Sequence, residues 1–350
     1  MLNRKKHLPS LTRRDFLKLS STLVIGTSLH PFITFSKSTQ LLPLQPIRRA
    51  AFTMGSIATI TAYCNDEARC NLAIDEAFRE MKEIDKLMSV FNENSQLSMV
   101  NRFAAEQDIP VDVRIIEVLD QAKKIHAVTH GAFDATIEPL MKLYGFRDEI
   151  SPKPFPSDRQ IAESLDAIGM DKAVISNKKS EISFTHPKTK LDFGGIAVGY
   201  AIDRAANILK SVGIESALIN HCGDICAIGT PPEDDNWEIG ITDPMNIDNV
   251  ITTVRIKNQA LSTSGNYENF IKADGQTIGH LFNPISGKPA SSILSGTTIA
   301  NTAVEVDALS TGFFVLGIEK TKKIIQCSQH LQFIAVIQQG SEEEIVRISS

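Results

Sequence analysis

The chain has 350 residues, of which 42% are hydrophobic and 22% are charged. A chain of this length and composition buries a large core, which excludes a disordered protein, a coiled coil and a multi-span membrane protein. The formal net charge of -5 argues against general nucleic-acid binding, because such binding relies on a basic surface.

The N-terminal segment differs in charge from the remainder of the chain. Residues 1–36 contain several Lys and Arg side chains but a single acidic residue, Asp15. Within them, Arg13-Arg14-Asp15-Phe16-Leu17-Lys18 precedes a short apolar stretch, and this order resembles a twin-arginine export signal. An amphipathic helix or membrane anchor is the alternative. We expect residues 1–36 to be an export signal, residues 37–50 a linker, and the protein to act in the periplasm or outside the cytoplasmic membrane, tethered there if the signal is not cleaved.

The remaining residues, 51–350, show helical and strand patterns in irregular order. Helices are predicted over Glu67–Met88, Ile115–Thr129, Gln160–Ile168, Tyr200–Val212 and Ala303–Leu316. Strands are predicted over Phe52–Tyr63, in a hairpin over Ala173–Phe184, and over Ser216–Asn220, Asp224–Gly229, Trp237–Thr242, Val250–Ile256, Phe333–Gln338 and Ile345–Ile348. Because strands follow one another without regular helical crossovers, the pattern predicts an α+β fold. We expect a single compact domain of antiparallel or mixed sheets flanked by helices.

The five cysteines are too few for a disulfide scaffold. Cys222 and Cys226 form a CxxxC pattern, which differs from the CxxC of redox enzymes and zinc ribbons. In an oxidising compartment these two residues could form a disulfide; alternatively they are simply buried.

The common nucleotide and hydrolase motifs are missing from the sequence, including GxGxxG, GxxxxGK[ST], GxSxG and HExxH. One Gly-rich segment is Asp192-Phe193-Gly194-Gly195, which leads directly into a predicted helix. Turn glycines let a ligand approach the backbone, and a helix N-terminus favours an anion. An ordinary strand–turn–helix connection would show the same pattern.

A second segment combines one carboxylate with hydroxyl groups on a single helix. Asp307 and Thr311 are four residues apart and therefore share a helix face, and Ser310 is adjacent. Oxygen ligands of this kind suit Mg²⁺. The alternative is that Asp307 only stabilises the start of the helix.

Three further segments contain candidate functional residues. His280 lies beside a dense turn and could act as a general base or have a structural role. Gly131–Thr136 contains Asp134, and Met88–Asn101 contains Phe91, whose ring could stack on a flat ligand or pack in the core.

Taken together and in this order, these segments resemble the ApbE family, the FAD:protein FMN transferases. Thr53–Ser56 and Thr263–Glu268 extend the resemblance, which runs from about residue 53 to residue 317. It implies an enzyme that cleaves the pyrophosphate of its substrate FAD with Mg²⁺, attaches FMN through a phosphoester to a Thr or Ser of another protein, and releases AMP.

The resemblance also implies roles for individual residues. It implies that FAD is contacted by Met54, Phe91, Ala132, Phe133, Asp134, Asp192, Val198 and Leu281. It implies that Mg²⁺ is held by the carbonyl of Gly195 and by Asp307, Ser310 and Thr311. His280 is the implied base that deprotonates the acceptor hydroxyl.

The sequence departs from the family pattern at three positions. Val198 stands where Lys is common and removes a cation near the phosphates; Cys222 replaces a Gly, and Asn283 replaces an Asp. An FAD-binding or flavin-delivery protein with impaired transfer, and a Mg²⁺-dependent FAD pyrophosphatase, therefore remain alternatives. The implied protein partner is a flavin-carrying subunit of a membrane redox complex, of the Rnf type, the sodium-pumping NADH:quinone reductase (NQR) type or the NosR type.

Overall fold

The computed structural model describes residues 44–147, 154–176, 178–267, 269–273, 276–339 and 342–349. Its helices are α1 (Glu67–Met88), α2 (Gln96–Phe103), α3 (Val113–Val128), α4 (Glu138–Tyr144), α5 (Asp158–Leu165), α6 (Ala197–Ser211), α7 (Ala303–Leu316) and α8 (Ile318–Gln326). Its strands are β1 (Ile47–Thr53), β2 (Ser56–Tyr63), β3 (Ile109–Pro110), β4 (Ala173–Ser176), β5 (Glu181–Phe184), β6 (Ser216–His221), β7 (Asp224–Ile228), β8 (Trp237–Thr242), β9 (Val250–Ile256), β10 (Ala260–Gly265), β11 (Phe270–Ala273), β12 (Gln276–Gly279), β13 (Ser295–Ala300), β14 (Gln332–Gln339) and β15 (Glu342–Ser349). The predicted export signal lies outside the described residues.

An eight-stranded sheet organises the fold, with strand order β1-β2-β6-β7-β10-β13-β14-β15. Neighbouring strands in it run antiparallel. Helices α1, α6 and α7 share the main hydrophobic core with this sheet. A second apolar cluster joins the β8–β9 hairpin to the sheet through Trp237, Ile239 and Leu261. The α+β, single-domain prediction is confirmed.

Helix α1 forms where its local sequence predicts it. The Asp66 side chain accepts the backbone N–H of Arg69 at 3.0 Å and so caps the first turn. Ile74, Phe78 and Met81 follow at helical spacing and are buried. The helix ends at Met88, which brings the segment that follows it to the candidate site.

Helix α7 is capped by a residue of another helix. Asp203 on α6 accepts the backbone N–H groups of Ala303 at 2.8 Å and of Val304 at 2.9 Å. These groups lack partners within their own helix, so the carboxylate satisfies two orphan donors at once. The contact fixes α7 against α6 and thereby places Asp307 near the first turn of α6.

The structure differs from the linker and first-strand predictions. Residues 47–50, assigned to the linker 37–50, belong to β1 because they pair with β2. The single predicted strand Phe52–Tyr63 is in fact two strands, since Met54 and Gly55 form a turn with φ values of 48° and 79°. Within the described part of the chain, no helix has the length and apolar character needed to span a bilayer.

Cysteine pairing also differs from the pairing considered above. Cys64 and Cys70 form a disulfide that joins the end of β2 to the start of α1. Cys222 and Cys226 are not bonded to each other. Cys222 lies exposed in the β6–β7 turn, whereas Cys226 lies within β7 and is buried in the main core, so their side chains occupy different environments.

Candidate active site

A cavity of about 570 Å³ lies where strands β1, β2, β6, β7 and β10 of the main sheet begin or end. The β1–β2 turn, the end of α1, the loop before α6, β10 and the start of the segment after β12 all contribute to its wall. Of the predicted site residues, all line this cavity except Ser310. The fold therefore brings segments from residue 54 to residue 311 into one site.

The predicted metal ligands form a hydroxyl-rich cluster. Oδ2 of Asp307 accepts the backbone N–H of Gly199 at 2.8 Å. The hydroxyl of Ser310 lies behind the cavity wall, 3.1 Å from Ser262 Oγ and 2.8 Å from Ser264 Oγ. In this position Ser310 is hydrogen-bonded to other side chains, and it supports the wall from which Asp307 reaches the cavity.

Gly195 and Thr311 lie against each other in the same region. A Cβ atom added at Gly195 would lie 3.2 Å from Thr311 Oγ1. Both residues line the cavity, and a side chain at residue 195 would crowd the Thr311 hydroxyl.

Two carboxyl groups, those of Asp307 and Asp224, line this end of the cavity. Burial, followed by the nearby charge of Asp224, raises the pKa of Asp307 well above its usual range. Burial likewise raises the pKa of Asp224, whose carboxylate accepts a hydrogen bond from Ser262. A bound cation would offset both the repulsion between the two carboxylates and the free-energy cost of burying them. Asp224 lines the cavity although it was not among the predicted site residues.

The donor set fits Mg²⁺. Carboxylates of Asp307 and Asp224, hydroxyls and the Gly195 carbonyl are all hard oxygen ligands, which Mg²⁺ prefers. Among the described residues, no group of three or more His, Cys, Asp and Glu side chains is arranged to hold a metal ion. A cation site here thus depends on hydroxyl and carbonyl oxygens in addition to the two acids.

His280 is held in the tautomer that a general base requires. Its Nδ1 lies 3.1 Å from the carbonyl oxygen of Asn269. Because a carbonyl only accepts, Nδ1 carries the proton and Nε2 is left as an acceptor. Burial lowers the pKa of the half-buried imidazole, which keeps it neutral near pH 7. Leu281, which follows it, is buried and lines the cavity.

Asp134 anchors one wall of the cavity. Its Oδ1 accepts the backbone N–H of Thr136 at 2.7 Å and the Thr136 hydroxyl at 2.5 Å. Its Oδ2 lies 3.3 Å from Nδ1 of His126, whose pKa it raises. Asp134 is therefore engaged with protein groups, and it fixes the position of Ala132 and Phe133 beside it.

The opposite wall presents an exposed aromatic ring. The backbone N–H of Met54 donates to Oδ2 of Asp85 at 2.8 Å, which ties the β1–β2 turn to the end of α1. Phe91 is 76% exposed. The guanidinium carbon of Arg147 lies 5.1 Å from the centre of the Phe91 ring. Neither Asp85 nor Arg147 is among the predicted site residues.

An ion cluster holds Arg147 in place. Its guanidinium group pairs with Glu138 at 2.8 Å and with Asp192. Burial, followed by the charge of Asp192, raises the pKa of Glu138 to about 7. The other Oδ atom of Asp192 accepts the backbone N–H of Gly194 at 2.8 Å, so the cluster also fixes the Gly-rich loop.

The three departures from the family pattern occupy distinct environments. Val198 lies in the first turn of α6 and lines the cavity with an apolar side chain. Asn283 uses its Oδ1 to accept the backbone N–H groups of Ile285 at 2.9 Å and Ser286 at 3.1 Å, which stabilises the turn after His280. Cys222 has a φ of 51° and donates its thiol to Ser56 Oγ at 2.6 Å.

The sequence model of the ApbE family matches residues 54–336. The chain belongs to the ApbE family. It is 29% identical over 292 residues to an FAD:protein FMN transferase of Klebsiella pneumoniae, covering 82% of this chain and 83% of that one. An FAD:protein FMN transferase of Escherichia coli K12 is 28% identical over 317 residues, with 89% of each chain covered.

Solved ApbE structures share the fold. The ApbE protein of Thermotoga maritima superposes with a TM-score of 0.79 at 29% identity, over 87% of this chain and 97% of that one. The apo flavinyl transferase ApbE of Pseudomonas stutzeri gives 0.79 at 26% identity, over 89% and 96%. The predicted family is confirmed; the roles assigned to single ApbE residues stay predictions.

Proposed function

We propose that this chain transfers FMN from FAD to a Thr or Ser hydroxyl of an acceptor protein, with Mg²⁺, through a phosphoester bond and with release of AMP. The observation that carries the proposal is the shared cavity. In it, the acidic and hydroxyl groups of α7, the loop at Gly195 and a neutral His280 face one volume.

The relatives support the reaction class. FAD:protein FMN transferases match this chain over most of its length, so the prediction of an enzyme that transfers flavin from FAD is confirmed. The use of Mg²⁺, the transfer to a hydroxyl group and the release of AMP are parts of the proposal. The oxygen donors around Asp307 support the use of Mg²⁺.

The chain's own groups supply positioning and proton transfer. Asp307, Thr311 and the Gly195 carbonyl would hold Mg²⁺, which when bound neutralises pyrophosphate charge and polarises the phosphorus. Nε2 of His280 accepts the proton of the acceptor hydroxyl, while the Asn269 carbonyl holds Nδ1–H. The hydroxyl oxygen forms a bond to the FMN phosphorus, the bond from that phosphorus to the bridging oxygen breaks, and AMP leaves with that oxygen.

The experiment combines the purified chain with FAD, Mg²⁺ and candidate acceptor domains. AMP release and covalent flavin fluorescence on the acceptor are followed together. We expect both signals to depend on acceptor and to be lost in Asp307→Ala and His280→Ala. The matched controls Asp234→Ala and His330→Ala change exposed residues outside the cavity and should retain both signals.

The remaining outcomes identify the alternatives. AMP and free FMN without labelled acceptor would indicate a pyrophosphatase. Bound FAD without AMP, after several acceptors have been tried, would indicate a flavin-binding or delivery protein. Suitable acceptors are domains from the membrane redox subunits implied above, each carrying a Thr or Ser target.

The proposed site of action is outside the cytoplasmic membrane. The twin-arginine-like start supports it, as does the Cys64–Cys70 disulfide, since such bonds persist in oxidising compartments. Cell fractionation should find the unaltered chain outside the cytoplasm and Arg13→Lys/Arg14→Lys inside it. Arg48→Lys/Arg49→Lys, a matched change in β1, should be exported normally. Equal distribution of all three would contradict the proposal.

A further inference from the structure

The cavity has an unequal distribution of charge. Among its described lining residues, Arg147 is the only Lys or Arg. Five carboxylates line the same cavity: Asp85, Asp134, Asp192, Asp224 and Asp307. FAD carries an anionic pyrophosphate. The position of this cationic side chain therefore affects where such a ligand can bind in the cavity.

Arg147 is not available as a freely moving phosphate ligand. Its side chain is 14% exposed and is paired with two carboxylates that are themselves largely buried, those of Glu138 and Asp192. Moving the guanidinium away would leave these two buried carboxylates without a counter-charge, which is costly. The guanidinium plane is therefore fixed by its partners.

The same guanidinium supports Phe91 from one side. It lies 5.1 Å from the ring centre, within the distance of a cation–π contact. The guanidinium lies over the ring, and the 76% exposure of Phe91 leaves most of its side chain accessible to a ligand. An aromatic ring held in this way offers a stacking surface to a flat heteroaromatic ligand.

We propose that Arg147 is a positioning residue that fixes Phe91 as a stacking platform for one of the two flat rings of FAD. This inference rests on the proposed function for the identity of the ligand. Arg147 joins the platform to the Asp192 loop through its ion pair with Asp192. The residue acts through Phe91 and does not contact the phosphates.

The test measures binding of FAD, AMP and FMN separately by calorimetry, with Mg²⁺ present. In Arg147→Met we expect about a tenfold loss of affinity for FAD and for one fragment, AMP or FMN, with the other fragment unchanged. Arg147→Lys keeps the charge but not the planar fork, and should lose affinity for the same fragment. Arg159→Met, at an exposed arginine on α5, is the matched control.

Phe91→Leu keeps the test falsifiable if Arg147 variants fold poorly, because it changes an exposed side chain. Phe91→Leu should weaken affinity for the same fragment. The double variant Arg147→Met/Phe91→Leu should bind that fragment only slightly more weakly than either single variant. Equal loss of both fragments would indicate a phosphate contact or a general structural role, and overturns the proposal. Unchanged affinities also overturn it.

The two proposals fail separately. If the unaltered chain binds FAD but transfers no flavin to any acceptor, only the proposed function fails. If it binds FAD and the fragments, and the variants show no selective loss, only the role of Arg147 fails. If it binds none of the three ligands, both are wrong.

Discussion

The backbone N–H of Gly199 donates to Oδ2 of Asp307 at 2.8 Å, joining the first turn of α6 to α7. A Cβ atom at Gly199 would lie 2.2 Å from the carbonyl oxygen of Ala303 and 2.8 Å from Cβ of Asp307. The two helices thus approach each other as closely as glycine permits. Their contact sets the position of the carboxylate at the cavity.

Gly199→Ala should therefore damage both packing and the site. We expect the free energy of unfolding to fall by about 1–3 kcal/mol and Mg²⁺ affinity to weaken. Urea unfolding and calorimetric Mg²⁺ titration measure the two effects. Gly213→Ala is the control: its φ is +80° and no atom lies within 4 Å of the new Cβ, so it should cost about 1 kcal/mol and retain Mg²⁺ affinity. Equal Mg²⁺ affinity in the two variants would contradict this role.

Asp203→Ala removes the cap that α6 provides for α7. Two backbone N–H groups lose their acceptor, so we expect the free energy of unfolding to fall by about 1–2 kcal/mol. Asp203→Asn keeps one acceptor oxygen, so its free energy of unfolding should fall by less. Asp234→Ala, in an exposed loop, gives the baseline for losing an acidic side chain. If Asp203→Ala and Asp234→Ala unfold at the same urea concentration, the cap has no measurable effect.

Protonation of His280 should set the fall of the flavin-transfer rate at low pH. The base must be neutral, and burial places the pKa of His280 below its ordinary value of 6.5. With Mg²⁺ saturating, we therefore expect the His280-dependent fall in transfer to be centred below pH 6.5. His280→Gln should lower the rate by about 10²–10⁴-fold and abolish this fall, whereas His330→Gln should leave it unchanged. A fall centred above pH 6.5 would rule out the assignment.

The Cys64–Cys70 disulfide should stabilise the start of α1. Closing so short a loop contributes about 2 kcal/mol, so Cys64→Ala/Cys70→Ala should unfold at lower urea concentration, and a reductant should remove the difference. Cys327→Ala, at an exposed free thiol, is the control. Thiol titration of the denatured, unreduced chain should detect Cys222, Cys226 and Cys327 only. Detection of all five thiols before reduction would show that the bond is absent.

Local sequence signals predicted some elements to the residue. Helix α1 was predicted at its observed bounds from the helical spacing of its apolar residues, and the structure adds Asp66 as its cap. Trp237–Thr242, Val250–Ile256 and Ala303–Leu316 were also predicted at their observed bounds. These elements have apolar patterns that do not depend on distant partners.

Two central strands escaped prediction for a physical reason. β10 and β13 consist largely of Ser, Thr, Gly and Ala, and their sequences show no apolar alternation. In the fold they are nearly fully buried, because α7 packs against them. Ser262 and Ser264 reach Ser310 through hydrogen bonds that join residues more than forty positions apart, and no short sequence window contains that information.

The site was predicted through family motifs, and the parts outside those motifs were missed. Arg147 gains its place from Glu138, Asp192 and Phe91, which belong to three separate segments. Asp203 acts on a helix that begins 100 residues later. Such roles follow from packing between distant segments and have no signature in the local sequence.

The cavity draws its wall from segments that lie between the first hairpin and Thr311 in α7. During synthesis, Met54 and Phe91 leave the ribosome long before Asp307 exists. The proposed substrate FAD therefore finds a complete binding site only after α7 has been made and folded. Binding of this proposed substrate thus follows folding in time, and a chain truncated before α7 lacks part of the site.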